Sequence, residues 1–282
     1  MRIGQIATVT SLEPRRASSV GSTHNSEMFR GLARLPGYAR TVPVFFKVFD
    51  PGVQSKALFN EILGYQVARG RGLPVAPDAL VCACARSLIP LPSKVITARP
   101  ASLSPYIAGL GSVDANPRSA SQTTRYGFTP QLVSELQSWE YLPEVAALDE
   151  LLVNTDRHYQ NLHRIAKGKF LVIDHEAVFG GPTWTLEGLR RQLQAPSPGN
   201  HIADFIAQHT GAEIQNRMMQ AGLEWRTLDF SAKELDIVPR QLDSLLQLEP
   251  GTTEDIIGLL NARCARLPEL LFHHIRAFQL FQ

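Results

Sequence analysis

One segment of the chain concentrates residues able to do chemistry. Leu151-Leu152-Val153-Asn154-Thr155-Asp156-Arg157-His158-Tyr159-Gln160-Asn161 runs on through Leu162-His163-Arg164-Ile165 and is followed by Phe170-Leu171-Val172-Ile173-Asp174-His175. Polar side chains are enclosed between apolar stretches, with Asn161 placed 5 positions after Asp156 and Asp174 placed 13 after Asn161. Two carboxylates and an amide oxygen in this order suit phosphoryl transfer. One carboxylate, Asp156, would orient an acceptor hydroxyl, while Asn161 and Asp174 would hold Mg²⁺ on nucleotide phosphates. Hard oxygen donors match magnesium, which keeps several waters and needs few protein ligands.

A cation for the phosphates is available upstream. Lys47 lies in Thr41-Val42-Pro43-Val44-Phe45-Phe46-Lys47-Val48-Phe49, and Glu61 follows 14 residues later. The pair resembles the strand lysine and helix glutamate of protein kinases, and lysine strand, acidic helix, aspartate loop and second aspartate stand in the kinase order. There is no G-x-G-x-x-G. Gly21, Ser22 and Thr23 are the candidates for a phosphate-facing loop, since small residues let backbone N–H groups approach phosphate oxygens.

These residues need elements to carry them. Ile6 to Ser11 and Glu27 to Leu32 are expected as strands around a small polar loop, 18–25. The β-branched and aromatic run 41–49, closed by Asp50-Pro51-Gly52, predicts a third strand bearing Lys47. Ser55 then caps a helix to about Arg69, with Leu58, Phe59, Ile62, Leu63 and Val67 at helical spacing around Glu61 and Gly70 and Gly72 as terminators. Leu80 to Ala85 predicts another strand.

Ser87 to Pro130 holds six prolines and seven serines but only five charged residues in 44 positions, so the lobe junction is expected there, with Val95 to Ala98 the segment best suited to pair as a strand. From Gln131 the helical period dominates. Leu132, Leu136 and Trp139 mark one helix, and Val145, Leu148, Leu151 and Leu152 the next. Ile256, Leu260, Cys264, Leu267, Leu271, Ile275 and Phe278 continue the pattern at the C-terminus, where Thr252 or Thr253 is the expected cap and Pro268 the expected break.

The Asn-Thr-Asp-Arg-His-x-x-Asn loop, the Ile-Asp-His strand end and the Asn60-Glu61 helix resemble the compact HipA-like kinases, relatives of HipA toxin kinases and more remotely of phosphoinositide kinases. The resemblance runs from about Phe45 to the end of the chain. It implies an α+β, two-lobed protein-kinase-like fold with a strand-rich N-lobe, residues 1–100, and a helical C-lobe, 101–282, whose segment 149–176 carries catalysis. It also implies ATP as donor, Asp156 as catalytic base, and Asn161 and Asp174 as magnesium ligands. Full-length HipA toxins carry a further N-terminal subdomain for which this chain has no room, and an antitoxin-like partner finds no support in the sequence.

Composition narrows the function classes. With 282 residues, 44% hydrophobic and 19% charged, the chain is globular and can bury a sizeable core, and a net charge of +2 excludes a highly basic polyanion binder. No apolar run approaches the roughly 18 residues of a membrane span, and the N-terminus lacks an export signal, so a cytoplasmic protein without direct nucleic-acid binding is expected. Three cysteines, Cys82, Cys84 and Cys264, make neither a disulfide framework nor a zinc site and read as small buried side chains. Arg157, His158 and His163 add local positive charge and order the loop. Trp139, Trp184 and Trp225 are dispersed and anchor helices.

The expected activity is transfer of the γ-phosphoryl of ATP to a Ser/Thr hydroxyl of a protein, with this protein itself one candidate acceptor among others. Two rivals remain at this level: a small-molecule or lipid kinase, and a nucleotide-binding pseudokinase without catalysis.

Overall fold

The structure, a computed structural model, describes residues 2–3, 8–14, 27–34, 39, 42–49, 55–76, 78–83, 106–111, 130–157, 161–192 and 195–279. Strands β1 (Arg2–Ile3), β2 (Thr8–Pro14), β3 (Glu27–Arg34), β4 (Val42–Phe49), β5 (Asp78–Ala83) and β6 (Tyr106–Gly111) form one sheet in the order β1-β5-β6-β4-β3-β2. Only β1 and β5 pair in parallel; every other neighbouring pair is antiparallel. The residues of β4, rich in valine and phenylalanine, suit an interior strand, where both edges are hydrogen-bonded. Lys47 stands on β4 opposite Met28 of β3 and Ala108 of β6, on the fourth strand of the chain because the short β1 precedes those expected.

The expected strand Val95 to Ala98 lies outside the described residues; the strand described within 87–130 is β6, which sits between β5 and β4. With glycines at 109 and 111 its local β preference is poor; the hydrogen bonds offered by strands on both sides override it. The sheet therefore continues past residue 100.

Helix α1 (Ser55–Gly70) crosses from the sheet to the helical part, touching β4 and β6 at one side and the 3₁₀ turn Val178–Gly180 at another. Its residues from Ala57 to Ala68 are buried on every face, including Asn60, Glu61 and Gln66. A helix enclosed all round needs a partner for each polar group it carries inward. Gly72, at φ 70°, turns the chain after the helix, and the Leu73 N–H donates back to the Ala68 carbonyl at 3.0 Å.

The remaining elements are α2 (Pro130–Gln137), α3 (Leu142–Leu151), the hairpin of β7 (Leu162–Ala166) and β8 (Lys169–Val172), and α4 (Leu186–Gln192), α5 (His201–His209), α6 (Ala212–Trp225), α7 (Pro239–Leu246), α8 (Thr252–Cys264) and α9 (Leu267–Gln279). Helix α3 is the hub: Leu142, Val145, Ala146, Ala147, Leu148 and Leu151 are fully buried, against α5, α6, α8 and α9. The C-terminal series breaks into α8 and α9 just before Pro268, as its ring requires. The expected threonine cap is replaced. Gly251 takes the N-cap position, and the Asp243 carboxylate accepts from the N–H groups of Gly251 (3.0 Å) and Thr253 (3.1 Å) and from the Thr253 hydroxyl. A distant carboxylate thus satisfies donors that a local cap would have taken.

Candidate active site

The loop after α3 is ordered by its own side chains. Val153 turns it at φ 49°. Asn154 donates through Nδ2 to Asp149 Oδ1 at 2.9 Å, and its Oδ1 accepts the Asp156 N–H at 3.2 Å. Asn161 donates through Nδ2 to the Asp156 carbonyl at 2.6 Å, which commits its amide nitrogen and leaves Oδ1 as the acceptor end. Asn154, Asp156 and Asn161 are therefore locked together, with Asn154 and Asn161 buried and Asp156 exposed. An exposed carboxylate on a hydrogen-bonded loop can be approached by an incoming hydroxyl. His158 lies outside the described residues.

The hairpin β7–β8 delivers the second carboxylate. The Ile173 N–H donates to the Asn161 carbonyl at 3.2 Å, and Asp174 follows in the left-handed region at φ 64°, a conformation unfavourable for a residue with a Cβ. Arg164 on β7 fastens the hairpin to α2 through Glu135, with Nε to Oε2 at 2.6 Å and Nη2 to Oε1 at 2.9 Å. Burial raises the Glu135 carboxyl, but Arg164, Gln131 and the Gly168 N–H outweigh it and hold the group below its ordinary value.

Helix α1 closes on this turn at four positions. Glu61 Oε2 accepts the His175 N–H at 2.9 Å. Asn60 donates to the carbonyls of Glu176 (2.8 Å) and Val178 (2.7 Å), while its Oδ1 accepts the Trp184 indole N–H at 2.9 Å. Lys56 donates to the Trp184 carbonyl at 2.5 Å and stands 4.6 Å from the ring centroid. At Gly64 a Cβ would lie 2.5 Å from the His175 Cβ, so only glycine permits this approach. The consequence is a cluster of oxygen donors: one carboxylate oxygen each from Glu61, Asp174 and Glu176 lies within 4.8 Å of the others.

Of the sequence-derived site residues, the fold brings Glu61 to Asp174 and Asn161 to Asp156. Lys47 is placed by its backbone only, on a strand packed against α1. Gly21, Ser22 and Thr23 fall outside the described residues. Glu176 was missed; a second carboxylate only two residues after Asp174, on the same turn, was the available signal. The donor set fits a hard divalent cation, being made of three carboxylates and no sulfur.

Beneath the loop, Glu150 is fully buried and holds Arg263 (2.7 Å) and the Ser197 N–H (2.8 Å) on Oε1, and His274 (2.9 Å) and Asn200 (3.1 Å) on Oε2. Burial raises this carboxyl, yet His274 and Arg263 outweigh it and keep it below its ordinary value. His274 bonds Asp204 through its other nitrogen at 2.9 Å; burial lowers its pKa, but the two carboxylates raise it to about 9.

No protein-family model matches this chain, and no curated protein matches it. Among solved structures, a MAP kinase of Leishmania major is similar with a TM-score of 0.33 and 13% identity, over 96% of this chain and 83% of the kinase. A likeness that faint leaves the function to be argued from the residues themselves. No helix among the described residues is long and apolar enough to cross a membrane.

Proposed function

We propose that this chain is an ATP-dependent phosphotransferase of HipA-like kinase type, moving the γ-phosphoryl to a Ser/Thr hydroxyl of a protein. The carrying observation is the meeting of Glu61 and Asp174, 113 positions apart in sequence, in one carboxylate cluster beside the Asn161 loop. Asp174 and Asn161 would hold Mg²⁺, which supplies positive charge to the nucleotide phosphates. Lys47, on the strand packed against α1, is assigned to the same phosphates and Glu61 to orienting it.

Asp156 accepts the hydrogen bond of the acceptor hydroxyl and aims its oxygen at the γ-phosphorus. The new P–O bond forms as the bond to the β-phosphate oxygen breaks, ADP departs, and the hydroxyl proton passes to the Asp156 carboxylate. Exposure of Asp156 admits a bulky acceptor, and the Asn154 and Asn161 hydrogen bonds keep its loop from moving during the step.

The test is incubation of wild type and Asp156→Asn with labelled ATP and Mg²⁺, alongside thermal shift with a non-hydrolysable analogue. Expected are label on this chain or on added protein, a fall of about 10²–10⁴-fold in the variant, and a nucleotide-dependent stabilisation that survives the substitution. Undiminished transfer by Asp156→Asn would refute the role of that residue. Label confined to small molecules would move the acceptor class, and no nucleotide-dependent shift in wild type would overturn the enzyme reading altogether.

A further inference from the structure

Arg157 stands beside Asp156 but faces inward, fully buried. Its guanidinium is used on every side. Nε lies 3.1 and 3.2 Å from the two Asp149 carboxylate oxygens. Nη1 donates to the carbonyls of Asp174 (3.1 Å), Asn161 (3.4 Å) and Ile173, and Nη2 meets His175 Nδ1 at 3.1 Å, where the ring nitrogen must accept because a guanidinium only donates. Asp149 in turn is fixed by the Asn154 amide at 2.9 Å. Thus one planar fork joins α3, the Asp156 loop, the end of β8 and the turn at Asp174.

The location of these bonds matters. They grip the carbonyls of Ile173 and Asp174, on both sides of the strained φ of Asp174, and a strained conformation persists only where its surroundings over-determine it. We infer that Arg157, held by Asp149, is a positioning residue that fixes the turn at Asp174 and thereby aims its carboxylate into the Glu61–Glu176 cluster. The assignment rests on the phosphotransferase reading for its purpose, and on the cluster alone for its geometry. Lysine cannot replace arginine here: its three donors radiate from one atom and do not span a carboxylate and three carbonyls.

Arg157→Lys and Asp149→Asn are to be compared with wild type by Mn²⁺ titration with and without a non-hydrolysable ATP analogue, following free Mn²⁺ by electron paramagnetic resonance, and by the Mg²⁺ dependence of turnover. Expected is at least a tenfold rise in the cation midpoint for Arg157→Lys, a smaller rise for Asp149→Asn, and recovery of part of the turnover at high Mg²⁺. A purely structural arginine would lower the melting temperature and leave the midpoint unchanged, which would overturn the inference. If Arg157→Lys does not fold, the midpoint of Asp149→Asn decides on the same criterion. Cation binding that depends on Arg157 in a protein with no phosphoryl transfer would sink the proposed function and leave the positioning role standing; a wild type that binds no cation overturns both.

Discussion

His274 sets a pH limit on the stability of the helical part. Its ring bridges Glu150 and Asp204 at 2.9 Å each, with its side chain only 8% exposed, and its pKa is about 9 against an ordinary 6.5. A group bound more tightly by protons when folded contributes fully below its unfolded pKa, and that contribution disappears as pH rises through the folded value. At about 1.4 kcal/mol per pH unit, the interval between 6.5 and about 9 corresponds to about 3 kcal/mol. Glu150 behaves oppositely: its carboxyl is held below the ordinary 4.5, so its contribution is present above that value and is lost on acidification. Stability is therefore expected to be greatest between these limits.

Urea unfolding of wild type and His274→Gln at pH 6, 7.5 and 9.5 measures the effect. The wild type should exceed the variant by about 3 kcal/mol at pH 6, equivalent to on the order of 6–12 °C in Tm, and the difference should vanish by pH 9.5. Titrations of groups that do not touch His274 affect both proteins and cancel, and at pH 6 and above the comparison lies above the range in which the contribution of Glu150, held below 4.5 in wild type, is lost. Parallel pH profiles would refute the reasoning, because they would mean that the proton on His274 is not bound preferentially by the folded state.

Two further outcomes test the site's surroundings. Gly64→Ala should cost about 1–3 kcal/mol and weaken the nucleotide-dependent thermal shift, since a Cβ 2.5 Å from the His175 Cβ must push α1 away from the turn at Asp174; unchanged stability in urea would show that the two are not in contact. Cys264 is buried and its thiol is pushed up to about 12 by burial, so mass-mapped alkylation of that residue should be slow in native protein and rapid in urea, and equal rates would contradict its enclosure.

Much of the scaffold was legible in local pattern. The valine and phenylalanine run of β4, the helical spacing of α1 and the long apolar series of α8 and α9 each state their own period, because side-chain burial imposes it on consecutive residues. Strand β6 was hidden, its glycines being poor strand formers that pairing on both edges rescues. The cap of α8 was hidden for a similar reason: Asp243 belongs to another helix. Within the site, the chemical types at Asp156, Asn161 and Asp174 were readable, whereas Glu176 and the inward orientation of Arg157 were not.

Arg157 and Asp149 show where the boundary lies. Spacing along the chain decided that a carboxylate and an amide share one short loop, for neighbours in sequence cannot be far apart in space. Whether an arginine beside them faces solvent or serves as an internal fork depends on α3 and β8 arriving at the same point, and on two buried charges finding each other there. Glu61 reaches the Asp174 turn only because Gly64 lets α1 come close. The residue types and their order thus belong to the sequence, while the joining of the two carboxylates into one cluster is a product of packing, since desolvated charges are tolerated only where distant elements bring them partners.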